Sequence, residues 1–389
     1  MWRIHRSSDP IKPLSNSLFS KTFTSFIDNP FISSTPFSSS LTVSSSRGTN
    51  RVGLYITKPI PSNEVILAMS PELTGLVIDG VHNIPLELSQ LLGFPNLCDD
   101  IKTILIIAFH KANDHEHSSP LGFLWKGVGV DPIPDHRWIK YKGLFTVANG
   151  TVTGIDEIDE AVIAAANTVS ETLIFSRSHN LQRLFGITET EIKWSYIFLH
   201  AFGVIEGVRK IIIAPLVFAR HSINQAKTLS LTRSPIGTID ITCKSSLDRG
   251  EELVVDGKSY LSDSYAFLFH GSWVGDNSIH RGKLMLRHDK AGEMIEFWFS
   301  NIDEESVVFR EDLLGKFLAF EDSDEWSVLR AMDNILMSLV SKMESIQPQL
   351  TSTDSPIERI RFIYVNGLVG EIDYFKTLSS LKRKELFDF

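Results

Sequence analysis

Histidine is the first residue type to test for chemistry. His110, His115 and His117 cluster in HKANDHEHSS. Their spacing matches no established ligand pattern, and they follow a helix into a polar loop, so they read as an exposed loop rather than a metal site. GVGVDPIPD holds a Gly-x-Gly. It lacks the strand-to-helix setting that lets backbone N–H groups cradle a phosphate, which argues against a dinucleotide role. His136 and His179 stand isolated in polar contexts. No Ser-His-Asp or Cys-His order stands out among 12 histidines, and no metal site is expected.

Chemistry is densest from Lys210 to Asn277. This stretch runs KIIIAPLVFARHS, GTIDITCKS, DRGEELVV and DGKSYLSDSYAFLFHGSWVGDN. It gathers His221, Ser222, Glu251, Glu252, Tyr260 and Tyr265 within reach of strand-forming runs. The bland reading of its parts is a solvated acidic turn, a turn or core histidine, and Gly271 as a helix C-cap.

Elements on either side must position that stretch. VGLYIT, EVILAM and GLVI are short β-rich runs punctuated by Pro, Asn and Gly, which predicts strands joined by tight turns. DDIKTILIIAFHKA predicts a buried helix with Asp99 and Asp100 at its positive end. IDEIDEAVIAAANTVSETLIFSRSHNLQRLFG and TETEIKWSYIFLHAFGVIEG read as further helices. The second opens on Thr188 and Glu191 at capping-box spacing. GKLMLRHDKAGEMIEFWFS predicts a hairpin turning at Asp289 to Gly292. From Trp326 the period is helical, in WSVLRAMDNILMSLVSKMESIQPQ, SPIERIRFIYVNGL and GEIDYFKTLSSLKRKELF.

At 389 residues, 43% hydrophobic and 22% charged, the chain is long enough for two domains with ordinary globular cores. A net charge of −9 and a pI near 5.8, with no basic stripe, argue against a nucleic-acid surface. The longest apolar runs fall well short of the roughly 20 residues that span a bilayer, so no membrane role is expected. Cys98 and Cys243 are the two cysteines. They exclude a disulfide scaffold or a four-cysteine zinc site and fit a reducing compartment. Residues 1–50 differ in kind, being crowded with Ser, Thr, Phe and Pro. Up to Val52 they set Arg3, Arg6, Lys12, Lys21, Arg47 and Arg51 against Asp9 and Asp28. That composition predicts either a transit peptide to the mitochondrial or another organelle matrix, or a disordered tail on a cytoplasmic protein.

The order of these pieces resembles the SET-domain protein lysine methyltransferases, in the branch typified by Rubisco large-subunit methyltransferase. The resemblance covers roughly residues 50 to 389. It rests on VGLYITKPIPSNEVIL, TETEIKWSYIFL, IIIAPLVFARHS, LDRGEELVV and SDSYAFLFHGSWVGDN in that order. It implies an α+β fold: a SET-like β-fold over 51–320 with a helical insertion at about 99–205, then an all-α, substrate-binding-like C-terminal domain over 326–389. It also implies S-adenosylmethionine as cofactor and a protein substrate or protein partner met through the C-terminal helices. The family aligns the sulfonium of the cofactor with a neutral lysine amine for in-line methyl transfer.

Residue by residue, the resemblance assigns cofactor contacts to Gly53 and Leu54 of the Gly-Leu turn, and to Arg220, His221 and Ser222 where the family has Asn-His-Ser. The first turn glycine falls on Arg51 and the cofactor-binding arginine on Phe202. The catalytic tyrosine falls on Gly257, with Tyr260 or Tyr265 as the substitutes. Two functions follow: a protein-lysine N-methyltransferase, or a catalytically inactive SET-like protein serving as an interaction or structural component.

Overall fold

The computed structural model describes residues 32–33, 40–45, 52–69, 77–82, 84–113, 154–207, 209–222, 229–235, 237–256, 262–265, 280–346 and 356–387. The chain divides into two compact units, one of residues 1–135 and 167–259, the other of residues 136–166 and 260–389.

In the first unit, β1 (Ile32–Ser33), β2 (Leu41–Ser45), β3 (Val52–Ile56), β4 (Val65–Met69) and β5 (Val77–Ile78) precede the helices. Helices α1 (Asp99–Asn113), α2 (Asp156–Ser178, its first residues counted with the second unit), α3 (Leu181–Phe185) and α4 (Glu189–Phe202) follow. Then follow β6 (Val204–Glu206), β7 (Arg209–Ile213), β8 (Arg220–Ser222), β9 (Leu229–Arg233), β10 (Ile239–Cys243) and β11 (Val254–Asp256).

Six strands pair in the order β1-β4-β10-β9-β11-β8, with β2-β3 and β5-β7-β6 as smaller sheets. Ile239, Ile241 and Cys243 are buried on β10 while Asp240 and Thr242 are half-buried, the two-residue period of a sheet with one face in the core. On α1, Ile104 to Ala108 are all buried, as its apolar run requires. The capping box of α4 is present, Glu191 N–H reaching Thr188 Oγ1 at 3.3 Å.

Three expectations need correction here. Leu41–Ser45, inside the segment read as disordered, pairs with β3, Leu41 facing Ile56. Leu41 is buried, and Leu-Thr-Val is good strand material once a partner edge is offered. The helix through TETEIKWSYIFLHAFGVIEG stops at Phe202, and Val204–Glu206 pairs with β7 instead. Gly203 has extended backbone there, where the β-branched residues that follow gain more from a sheet. The apolar run with Pro215 is broken by a 3-10 turn, Ala214–Phe218, because proline supplies no N–H to a ladder.

In the second unit, β12 (Arg281–Arg287) and β13 (Met294–Ser300) form the expected hairpin. Helices α5 (Asp303–Leu318), α6 (Ser327–Ile346) and α7 (Pro356–Phe387) follow. Two helices were expected where α7 runs unbroken for 32 residues. Gly367 does not interrupt it; a Cβ there would lie 2.6 Å from the Phe299 ring. Gly282, opposite Phe299 in the hairpin, gives way to the same ring. Two bare backbones thus seat one phenylalanine, and Tyr364 meets it edge-on at 5.0 Å.

Candidate functional site

The residues assigned by resemblance in the first unit border one short stretch, Glu251 to Asp256. Leu253 N–H donates to Leu54 O at 2.7 Å and Ile56 N–H to Glu251 O at 2.9 Å, with Tyr55 bridged to Glu252. Immediately beyond, β11 pairs in parallel with β8, placing Val254, Val255 and Asp256 opposite Arg220, His221 and Ser222. Backbone hydrogen bonding therefore gathers Gly53, Leu54 and the Arg-His-Ser strand around the strand after the Gly-Glu-Glu turn. Tyr265 belongs to the second unit, where its N–H donates to Ser262 Oγ at 3.0 Å. Tyr260, Gly257 and Arg51 lie outside the described residues.

The side chains about Gly53 bear on whether S-adenosylmethionine fits. A Cβ on Gly53 would lie 2.8 Å from Glu252 Oε1 and 2.9 Å from Tyr55 Cε2. Glu252 and Tyr55 thus pack closely against the Gly53 backbone. Leu54 is fully buried. Phe202, where the resemblance puts the family's arginine, packs on Phe198 with centroids 5.1 Å apart, and Phe198 stacks on Trp194 at 4.8 Å. That aromatic ladder, four residues per step, offers no cation to a carboxylate. At Phe202 the side chain present supplies no cation where the resemblance assigns one.

A different set of titratable groups meets nearby, which the sequence reading passed over. Lys210 Nζ on β7 and His200 Nδ1 on α4 share a hydrogen bond at 2.5 Å. The Tyr196 and His200 rings lie 4.4 Å apart, and Asp100 on α1 acts on both Lys210 and Tyr196. Burial drives each group toward its neutral form. It lowers the Lys210 ammonium to about 7 despite the pull of Asp100. It also lowers His200, with Lys210 adding to the effect, and it raises Asp100 and Tyr196. One signal was available in the sequence: a lysine at the start of an apolar run, KIIIAP, a few residues after a helical stretch that ends in His-Ala-Phe.

The second unit holds its own buried polar network. Tyr364 Oη donates to Glu157 Oε2 at 2.7 Å, and its single proton being spent there, Ser264 Oγ donates to Tyr364 at 2.7 Å. Ser262 donates to Glu157, and Lys283 N–H reaches Tyr364 Oη at 3.3 Å. Burial raises Glu157 above the usual carboxylate range. Beside this network, Asp263 accepts from His280 Nδ1 at 3.2 Å and holds that imidazole above its ordinary value.

No protein-family model matches the chain, and no curated protein matches it in sequence. Solved structures do match. The SET domain of LSMT bound to lysine and AdoHcy superposes with a TM-score of 0.58 at 12% identity, covering 95% of this chain and 92% of that one. The same domain bound to methyllysine and AdoHcy gives 0.59 at 13%, covering 95% and 93%. Rubisco LSMT bound to AdoMet gives 0.56 at 12%, covering 95% and 92%. With so few identical residues the likeness lies in the path of the backbone: the chain is mixed α+β and has the SET-domain fold of Rubisco LSMT.

Proposed function

We propose that this chain uses the SET fold as a protein-binding platform and does not transfer methyl groups from S-adenosylmethionine. The observation that carries this reading is Phe202, which packs on Phe198 with centroids 5.1 Å apart where the resemblance puts the cofactor-binding arginine; an apolar ring cannot pair with the cofactor's carboxylate. The partner is a protein that docks on the C-terminal helices, where Phe362 and Val369 stand exposed seven residues apart on α7. The hydroxyl-rich, basic composition of residues 1–50 supports an organelle matrix as the chain's location.

A second reading, an active protein-lysine N-methyltransferase, is favoured by one observation. Backbone pairing keeps Gly53–Leu54 and Arg220–Ser222 on the same stretch. Titrating the full chain with S-adenosylmethionine in a calorimeter separates the two. The platform reading expects no heat even at millimolar cofactor; a saturable heat at one-to-one stoichiometry sinks it and establishes the second.

A further inference from the structure

We propose that the groove between the β12–β13 hairpin and α6 binds a short apolar peptide whose two termini are both charged. The groove measures about 560 Å³, within the range of ligand-binding clefts. All of its lining residues belong to the second unit.

Strand register and helical period account for its walls. Met285 and Arg287 alternate with Leu284 and Leu286 on β12, and Met294 stands opposite Arg287 on β13. Met285, Arg287 and Met294 therefore share one face of the hairpin, while Leu284 and Leu286 are buried on the other. From α6, Met337 and Ser341 lie one turn apart and line the same groove. Three thioethers thus floor it, and Met294 and Met337 are more than half exposed. Methionine is unbranched and polarizable, so such a floor adapts to apolar side chains of varied shape.

The polar groups of the lining divide into committed and uncommitted ones. Lys342 Nζ donates to Asp156 Oδ1 at 2.5 Å, Ser338 Oγ to Arg287 O, and Ser345 Oγ to Lys342 O at 2.7 Å. Arg287, Asp289 and Ser341 are exposed, and no described residue pairs with their side chains. The groove therefore offers a ligand one guanidinium, one carboxylate and one hydroxyl above an apolar floor. A guanidinium holds a carboxylate through paired N–H donors, and a carboxylate accepts from an ammonium. A ligand with a single charge would satisfy one of the two and be repelled by the other. An apolar zwitterion satisfies both. Two residues apart, the Cα atoms of Arg287 and Asp289 are separated by at most roughly 7 Å, yet the two side chains do not pair with each other. That separation suits the two ends of a short peptide better than the adjacent charges of a free amino acid.

The test is an NMR titration of the full-length protein, carrying isotope-labelled methionine methyl groups, with leucyl-leucine. Saturable shifts are expected at Met285, Met294 and Met337, while the fully buried Met69 of the first unit stays in place. Acetylating the peptide's amine, or amidating its carboxyl, is expected to weaken binding about threefold in each case, the worth of an exposed charge pair. Arg287→Gln then abolishes the difference between free and amidated peptide, and Asp289→Asn that between free and acetylated peptide. Both side chains are exposed, so neither substitution disturbs the fold. Free leucine is expected to bind more weakly than the dipeptide; equal binding assigns the groove to an amino acid and overturns the peptide. Blocked peptides that bind as well as the free one, or no saturable shift up to the solubility limit, overturn the proposal.

Discussion

Replacing Tyr364 by phenylalanine isolates the hydroxyl that ties the second unit's polar network together. The ring is fully buried and stays buried in the variant, so the cost falls on hydrogen bonds rather than on packing. Three partners lose the oxygen at once. Ser264 Oγ loses its acceptor at 2.7 Å, Glu157 Oε2 its donor at 2.7 Å, and Lys283 N–H its acceptor at 3.3 Å. A buried polar group left unsatisfied costs about 1–3 kcal/mol. Lys283 N–H is the long bond and Glu157 keeps Ser262, so the sum is about 3 kcal/mol rather than the maximum.

The loss also depends on pH, with a fixed sign. Glu157 already has a raised folded-state pKa, caused first by burial. Its contribution is fully present below the unfolded value of 4.5 and is lost as pH rises through the folded one. Removing the Tyr364 donor raises that pKa further, so Tyr364→Phe destabilises more at about pH 8 than at about pH 5. Urea titration read by hydrogen exchange in the β12–β13 peptides reports on this unit separately from the other. A loss below about 1 kcal/mol, or the same loss at both pH values, refutes the account of the network.

Two further outcomes follow from the same geometry. Gly282→Ala drives a methyl to 2.2 Å from the Phe299 ring and 2.8 Å from Tyr364. Both neighbours are wedged in the core, so it destabilises the hairpin by about 3 kcal/mol or more, read as lost exchange protection over 281–300. Lys210→Met flattens the stability of the first unit against pH. Between about 7 and 10.5 the unfolded wild-type chain holds a proton that the folded one has released. Wild-type stability therefore rises with pH across that window, and the methionine variant does not share the rise; an unchanged slope in thermal melts counts against the buried amine.

Much of the architecture was legible along the chain because its elements carry strong local periods. The β12–β13 hairpin, the capped start of α4 and the apolar run of α1 follow from spacing alone. The misplaced pieces have a common cause. Val204–Glu206 and Leu41–Ser45 are strands only because β7 and β3 present edges to them, and Gly367 stays helical because Phe299 fills the place of its side chain. Such partners are distant in sequence and have no local signature.

The candidate site divides along the same line. Residue types at Phe202, Gly53 and Arg220 were readable from the order of motifs, and they raise the question of a displaced cofactor chemistry. What packs against the Gly53 backbone was not readable, since Glu252 lies almost two hundred residues away and meets it through a single bridge to Tyr55. The Lys210 amine is a stronger case. A lysine in a sequence is a cation by default, and only desolvation by α1, α4 and β7 together makes it a nearly neutral base at physiological pH. Order and type are properties of the chain, whereas burial and proximity come into being when distant segments pack. Charge state and room for a ligand depend on that packing.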